Sequence, residues 1–157
     1  MTQLDGAKQQ TREDRTVYRA LRILEQRLRT AGPVLNEPHL VRRWCQMNLA
    51  VKDREVFCAL FLDTKHQLIA WEELAQGTIS EAAVYPREVV RAAIRHNACA
   101  VIFAHNHPTG CTVHSGADVL LTRRLKEALQ TVDVRVLDHF IVGGMATPLS
   151  FAERGLL

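Results

Sequence analysis

Apolar residues recur along this chain with two periods, and the switches between them outline its elements. From Arg12 to Arg29, Val17, Leu21, Leu24 and Leu28 return at helical spacing while Arg15, Arg19, Arg22, Arg27 and Arg29 occupy other faces. This predicts a basic amphipathic helix that Ala31-Gly32-Pro33 ends. A second helix is expected from Glu37-Pro38 to about Val51, carrying Leu40, Val41, Trp44, Met47 and Leu49. The period then shortens. Glu55 to Leu62 and Leu68 to Leu74 read as a hairpin over the polar turn Asp63-Thr64-Lys65-His66-Gln67, in which His66 is a turn residue. Pro86 suits the first turn of a helix running through Arg95, with Val89, Val90, Ala93 and Ile94 on its apolar face and His96 capping its end. Ala98 to Ala104 is a continuous apolar run and predicts a buried strand. A helix with Val119, Leu120, Leu121, Leu125, Ala128, Leu129 and Val132 follows Ser115, and two apolar runs, Val132 to Leu137 and Phe140 to Val142, close the chain around a polar junction at Asp138-His139.

Strands and helices thus alternate around a mixed sheet, which predicts a three-layer α/β/α fold with a hairpin at one side. The expected organisation is a helical segment over residues 1–33 followed by one domain over 34–157.

The strand at Ala98 to Ala104 leads directly into chemistry. Residues i and i+2 of a strand project to one face, so His105 and His107 can hold one ion together while Asn106 faces the other way. Pro108 and the Thr109-Gly110 pair end the ladder and turn the chain, which sets the two imidazoles where a core strand opens to solvent. Asp118 lies in the first turn of the next helix, with Ser115 as its N-cap; a carboxylate there is favoured by the helix dipole whether or not a metal is present. Two histidines and a carboxylate are one known set of zinc ligands, with the fourth position left for water. The remaining requirement is a general base. Glu55, at the start of the hairpin, is a candidate, but spacing does not single it out from Glu72, Glu73, Glu81 or Glu88.

The order Glu55, then His105-Asn106-His107-Pro108, then Ser115-Gly116-Ala117-Asp118 resembles the JAMM motif of the JAB/MPN metalloprotease superfamily, including the seven positions Pro108 to His114 between His107 and Ser115. Within that superfamily the chain is similar to the RadC-like branch, through His105 to Gly110, Val84 to Val90, Val132 to His139 and Ser150 to Gly155. The matching segments span roughly Arg54 to the C-terminus. What the resemblance implies is a JAB/MPN, cytidine deaminase-like fold and one zinc ion held by His105, His107 and Asp118. It also implies Glu55 as the acid/base, Ser115 as a hydrogen-bond donor to the tetrahedral intermediate, and hydrolysis of a peptide or isopeptide bond in a protein or peptide substrate. Two features differ from the family pattern. Longer RadC-like proteins carry a helix-hairpin-helix segment before this domain, whereas residues 1–33 are short and lack its Gly-containing hairpin, as in the short, prophage-associated form. The loop Cys111-Thr112-Val113-His114 lacks the second proline and brings a thiol and an imidazole close to the ligands, either of which could be a fourth ligand.

Composition alters this picture little. A chain of 157 residues with 47% hydrophobic and 24% charged residues can bury one core. No apolar run is long enough to span a membrane and the first residues lack signal-peptide character, so a cytoplasmic location is expected. Cys45, Cys58, Cys99 and Cys111 form no Cys-x-x-Cys pair; Cys58 and Cys99 are expected as core thiols and Cys111 as a loop residue. Charge matters more. Residues 1–54 hold eleven Lys or Arg against six Asp or Glu, so the excess lies N-terminal. That helix can pack its apolar stripe on the domain, pair with another copy as a homo-oligomer, or offer arginines to nucleic acid, for which the lack of interleaved aromatics is a weak footprint. Two other functions compete with a hydrolase. One is a DNA-associated repair or nuclease-type role, which the sparse carboxylates oppose; the other is a catalytically silent interaction module, which the intact set of five motif residues opposes. Asp138 and His139 either support a metal histidine from behind or form an ordinary packed pair.

Overall fold

Two seven-residue strands with every residue buried, β1 (Val56–Leu62) and β3 (Ala100–Asn106), form the middle of the sheet. Their sequences, VFCALFL and AVIFAHN, are nearly continuous apolar runs because both faces of the strands are covered. The computed structural model describes residues 14–20, 23, 32–77 and 84–157. The chain divides into Met1–Ala31 and Gly32–Leu157. In the first unit residues 14–20 are helical (α1), with Val17 and Tyr18 exposed. Leu21, Leu24, Leu28, Arg22, Arg27 and Arg29 of the expected amphipathic stretch lie outside the described residues, as do residues 78–83, Glu81 among them.

In the second unit α2 (Pro38–Leu49), β1, β2 (Leu68–Gln76), α3 (Pro86–Arg95), β3, α4 (Gly116–Gln130), β4 (Arg135–Val142) and β5 (Leu149–Ser150) follow in order. The sheet runs β2-β1-β3-β4-β5; β3 and β4 are parallel and the other pairs antiparallel. Mixed pairing with helices on both faces is the α/β architecture the sequence predicts.

The two faces follow strand parity. Val56, Cys58, Leu60 and Leu62 of β1 join Ala100, Ile102 and Ala104 of β3 beneath α2, which contributes Val41, Cys45 and Leu49. Phe57, Ala59 and Phe61 join Val101 and Phe103 on the opposite face, under Val89, Ala92 and Ala93 of α3 and Leu125 and Leu129 of α4. His105 therefore continues the Phe103 row toward α4, and Asn106 points to the side of α2. The buried stripe of α4 runs Asp118, Thr122, Leu125, Leu129, so its first two members are polar and the last two apolar.

Three differences from the sequence expectations have plain causes. The apolar face of α3 is centred on Val89 and Ala93, which leaves Ile94, one 100° step away, 61% exposed. Cys99 precedes β3 and is half-buried, whereas Cys58 lies in the core. Asp138-His139 is no junction between strands: β4 runs unbroken through both. Asp138 is satisfied inside the sheet, accepting from the backbone N–H groups of His139 (2.7 Å) and Ala152 (2.9 Å) and from the Ser150 hydroxyl (2.5 Å). The strand partner of its second half is β5, a two-residue strand too short to leave a periodic signal.

Candidate metal centre

Strand pairing assembles the site. β1 and β3 are antiparallel with Phe57 opposite His105, and the same register continued by two residues in each direction sets Glu55 against His107. The ligand atoms of Glu55, His105 and His107 all lie within 4.8 Å of one another. His105 is fully buried at the end of β3 and His107 is partly exposed just beyond it, so the group sits where the sheet opens.

The two imidazoles approach through Nε2, 3.0 Å apart. His107 Nδ1 lies 2.8 Å from the Cys111 carbonyl. A carbonyl only accepts, so Nδ1 carries a proton and Nε2 is the nitrogen left to face a cation. His105 Nδ1 is likewise occupied, 2.8 Å from His139 Nε2. Burial holds the pKa of His105 down at about 4, with Asp118 opposing the shift and His107 adding to it. The ring is therefore neutral near pH 7. Two nitrogens on a tetrahedral zinc stand about 3.3 Å apart at ordinary Zn–N lengths, close to the spacing found here.

Asp118 lies beside this group. Its Oδ2 accepts from the Ser115 backbone N–H (2.7 Å) and hydroxyl (2.8 Å), while the Ser115 oxygen accepts from the Asp118 N–H (3.1 Å). This reciprocal capping box starts α4 and fixes the carboxylate. The other oxygen, Oδ1, is buried with no hydrogen-bond partner and lies 3.6 Å from His105 Nε2. An orphaned buried carboxylate oxygen is expensive. Facing the imidazole Nε2 atoms, it has the chemistry of a cation ligand, and two imidazoles with one carboxylate are a donor set that suits a zinc ion. Glu55 is only partly buried, yet desolvation raises its pKa above the usual carboxylate value, with Asp118 acting in the same direction and His107 against it.

Asn106 holds the segment that carries Glu55. Its Oδ1 accepts from the Val56 N–H (2.8 Å), and its Nδ2 donates to the carbonyls of Arg54 (2.9 Å) and Lys52 (3.4 Å). The peptides on both sides of Glu55 are thus tied to the residue between the two histidines. On the other side, the His107 N–H donates to the Val142 carbonyl at 2.8 Å. Gly143 then packs so closely that a β-carbon there would lie 2.5 Å from the Gly110 carbonyl oxygen.

Residues 35–156 match the family profile described as RadC-like JAB domain. The chain belongs to the RadC-like JAB family. The chain is 57% identical over 136 residues to a UPF0758 protein of Dechloromonas aromatica, a match that covers 87% of this chain and 60% of that protein. It is 58% identical over 126 residues to one of Cellvibrio japonicus, covering 80% and 56%, and 51% identical over 143 residues to the UPF0758 protein YkfG of Escherichia coli, covering 91% and 90%. The match thus spans about three-fifths of the first of these relatives and nearly all of YkfG.

The structure brings Glu55, His105 and His107 of the RadC-like domain into one group, with Asp118 and Ser115 beside it. Of the two candidate fourth ligands, the Cys111 sulfur accepts from the Val113 N–H at 3.4 Å and the His114 ring packs edge-on against Phe151; the group of three contains neither. Of the other glutamates weighed for the base, the three among the described residues are engaged elsewhere: Glu72 with Arg95 and His96, Glu73 with Lys52, and Glu88 with Arg91. Sequence reasoning passed over Thr122 and Asn106. For Thr122 the signal was a hydroxyl on an otherwise apolar stripe, and for Asn106 an amide inside a buried strand. Among the described residues, no helix is long and apolar enough to cross a membrane.

Proposed function

We propose that this RadC-like protein is a zinc-dependent hydrolase of a peptide or isopeptide bond, in which His105, His107 and Asp118 hold one zinc ion and Glu55 moves the proton. The observation that carries this reading is the convergence of two imidazole Nε2 atoms, 3.0 Å apart, beside the unpartnered and buried Asp118 Oδ1. When bound at such a donor set, zinc supplies Lewis acidity that polarises a carbonyl and brings the pKa of a water toward neutrality.

The chain's own residues do the rest. Glu55 stands within reach of both imidazoles, and its raised proton affinity suits a carboxylate that takes a proton from water and passes it to a leaving amine. Ser115 orients Asp118 through the capping box, and the hydroxyl that donates to Asp118 Oδ2 is the one it would offer to a tetrahedral intermediate. Asn106 keeps Glu55 at its post from behind the sheet. The sequence resemblance to JAMM metalloproteases supports the same assignment.

The test is elemental mass spectrometry on protein purified without added metal, alongside turnover on a panel of peptide and isopeptide-linked substrates. The expected result is about one zinc per parent chain, much less in His107→Ala and Asp118→Ala, and parent-like zinc with no turnover in Glu55→Gln. Equal zinc in all four proteins would refute the ligand assignment, and loss of zinc in Glu55→Gln would make Glu55 a ligand instead of the base.

A further inference from the structure

Behind His105 lies a chain of polar contacts that reaches no solvent. His105 Nδ1 is 2.8 Å from His139 Nε2, His139 Nδ1 is 2.6 Å from the Thr122 hydroxyl, and that hydroxyl is 2.7 Å from the backbone carbonyl of Asp118. The three side chains come from β3, β4 and α4 and are at most 1% exposed. Phe57, Phe103 and Phe151 surround the His139 ring.

Hydrogen-bond directions in this chain admit a single assignment. The Asp118 carbonyl can only accept, so the Thr122 hydroxyl spends its one proton there. Its oxygen must then accept from His139, which places the proton of that ring on Nδ1. A neutral His139, as its apolar surroundings require, leaves Nε2 bare. His105 must therefore donate through Nδ1, and its own Nε2 carries a lone pair toward His107 and Asp118.

We propose that Thr122 and His139 are positioning residues that fix the tautomer of His105, so that the backbone carbonyl of one ligand residue, Asp118, sets the donor atom of another. This deepens the proposed function and rests on its ligand set. Without the hydroxyl, His139 would keep an unsatisfied buried N–H at Nδ1, which folded proteins tolerate less than an unsatisfied acceptor. Moving that proton to Nε2 would push the His105 proton to its own Nε2 and close the ion site.

The experiment uses the full chain with 15N-labelled histidine, stripped of metal, and reads each ring nitrogen by long-range 15N–1H correlation; zinc affinity is then measured by titration with Zn²⁺ against a competing chelator. In the parent, His105 and His139 are expected as Nδ1–H tautomers. Thr122→Val keeps the shape and removes the hydroxyl; both rings are expected to change to Nε2–H, with zinc binding weakened about 10- to 100-fold. Thr122→Ser is expected to restore both readings, which a packing role for the Thr122 methyl group would not do. An Nε2–H tautomer of His105 in the parent overturns the proposal, as does a Thr122→Val protein with parental tautomers and zinc affinity. Tautomers that follow Thr122 in a chain that binds no zinc would uphold the relay and refute the metal reading. Tight zinc binding with tautomers indifferent to Thr122 would do the reverse.

Discussion

Acid should unfold the metal-free protein through its buried histidines. The perturbation is a fall in pH from 7 to 4 in the presence of a chelator, compared between the parent and His105→Gln, whose amide can still donate to His139. Burial keeps His105 neutral down to about pH 4, whereas the unfolded chain protonates a histidine near its ordinary value of 6.5. Between these values the unfolded state binds the extra proton. Stability is therefore complete above pH 6.5, falls as pH drops toward 4, and loses nothing further from this group below that. At about 1.4 kcal/mol for each pH unit of the window, His105 contributes a loss of about 3 kcal/mol, an appreciable part of the 5–15 kcal/mol typical of a domain. His139, which burial also holds well below 6.5, adds in the same direction in both proteins, and because His105 itself helps to depress it, the difference between the curves reports His105 together with that repulsion. Urea unfolding at half-unit pH steps is the assay. The parent curve should fall more steeply than that of His105→Gln between pH 6.5 and 4, and parallel curves would refute the buried, neutral assignment on which the donor geometry depends.

Three further substitutions separate the parts of the site. Asn106→Ala strips the Val56 N–H of its acceptor in a buried position; a loss of about 1–3 kcal/mol is expected, with turnover falling beyond what stability explains while zinc content holds, and zinc loss in a folded protein would contradict this. Gly143→Ala forces a β-carbon against the Gly110 carbonyl and the Thr112 methyl group, 2.5 Å and 2.9 Å away; strain of about 1–3 kcal/mol should displace the turn whose Cys111 carbonyl holds His107, and a drop in zinc affinity by chelator competition checks it. Leu125→Ala removes a fully buried side chain one turn beyond Thr122; thermal and urea unfolding should show a loss of about 2–5 kcal/mol with zinc binding retained at temperatures where the protein stays folded.

The chemistry was more legible in the sequence than the support beneath it. His105, His107, Ser115 and Asp118 lie within fourteen residues, on a strand end and a helix start whose geometry follows from local spacing alone. Glu55 lies fifty residues from His105, and only the β1–β3 register brings them together. Nothing in the residues near Glu55 encodes that register, which is why spacing left five glutamates open and family resemblance was needed to choose. Asn106 and Thr122 were present as local contradictions, polar groups in positions that burial should have claimed for apolar ones. What each of them bonds depends on a partner element that the sequence leaves unnamed.

His139 shows why such partners resist reading. Along β4 the alternation begins with Val134 and Val136 on the face of α3 and α4; continued without interruption, it would put Asp138 on the site face and His139 under α2. The observed pairing instead steps from Val101↔Val136 to Ile102↔Asp138, a bulge that inserts Leu137. One extra residue exchanges the faces of everything after it. Asp138 goes to the far side, where Ser150 and Ala152 bind it, and His139 arrives beside Phe103 with its ring on His105. A carboxylate in that place would have been a second buried anion, behind an imidazole that burial keeps neutral. The bulge supplies an imidazole, which can accept from one ring nitrogen's neighbour and donate to the other's, and that two-sided character is what a relay between His105 and Thr122 requires.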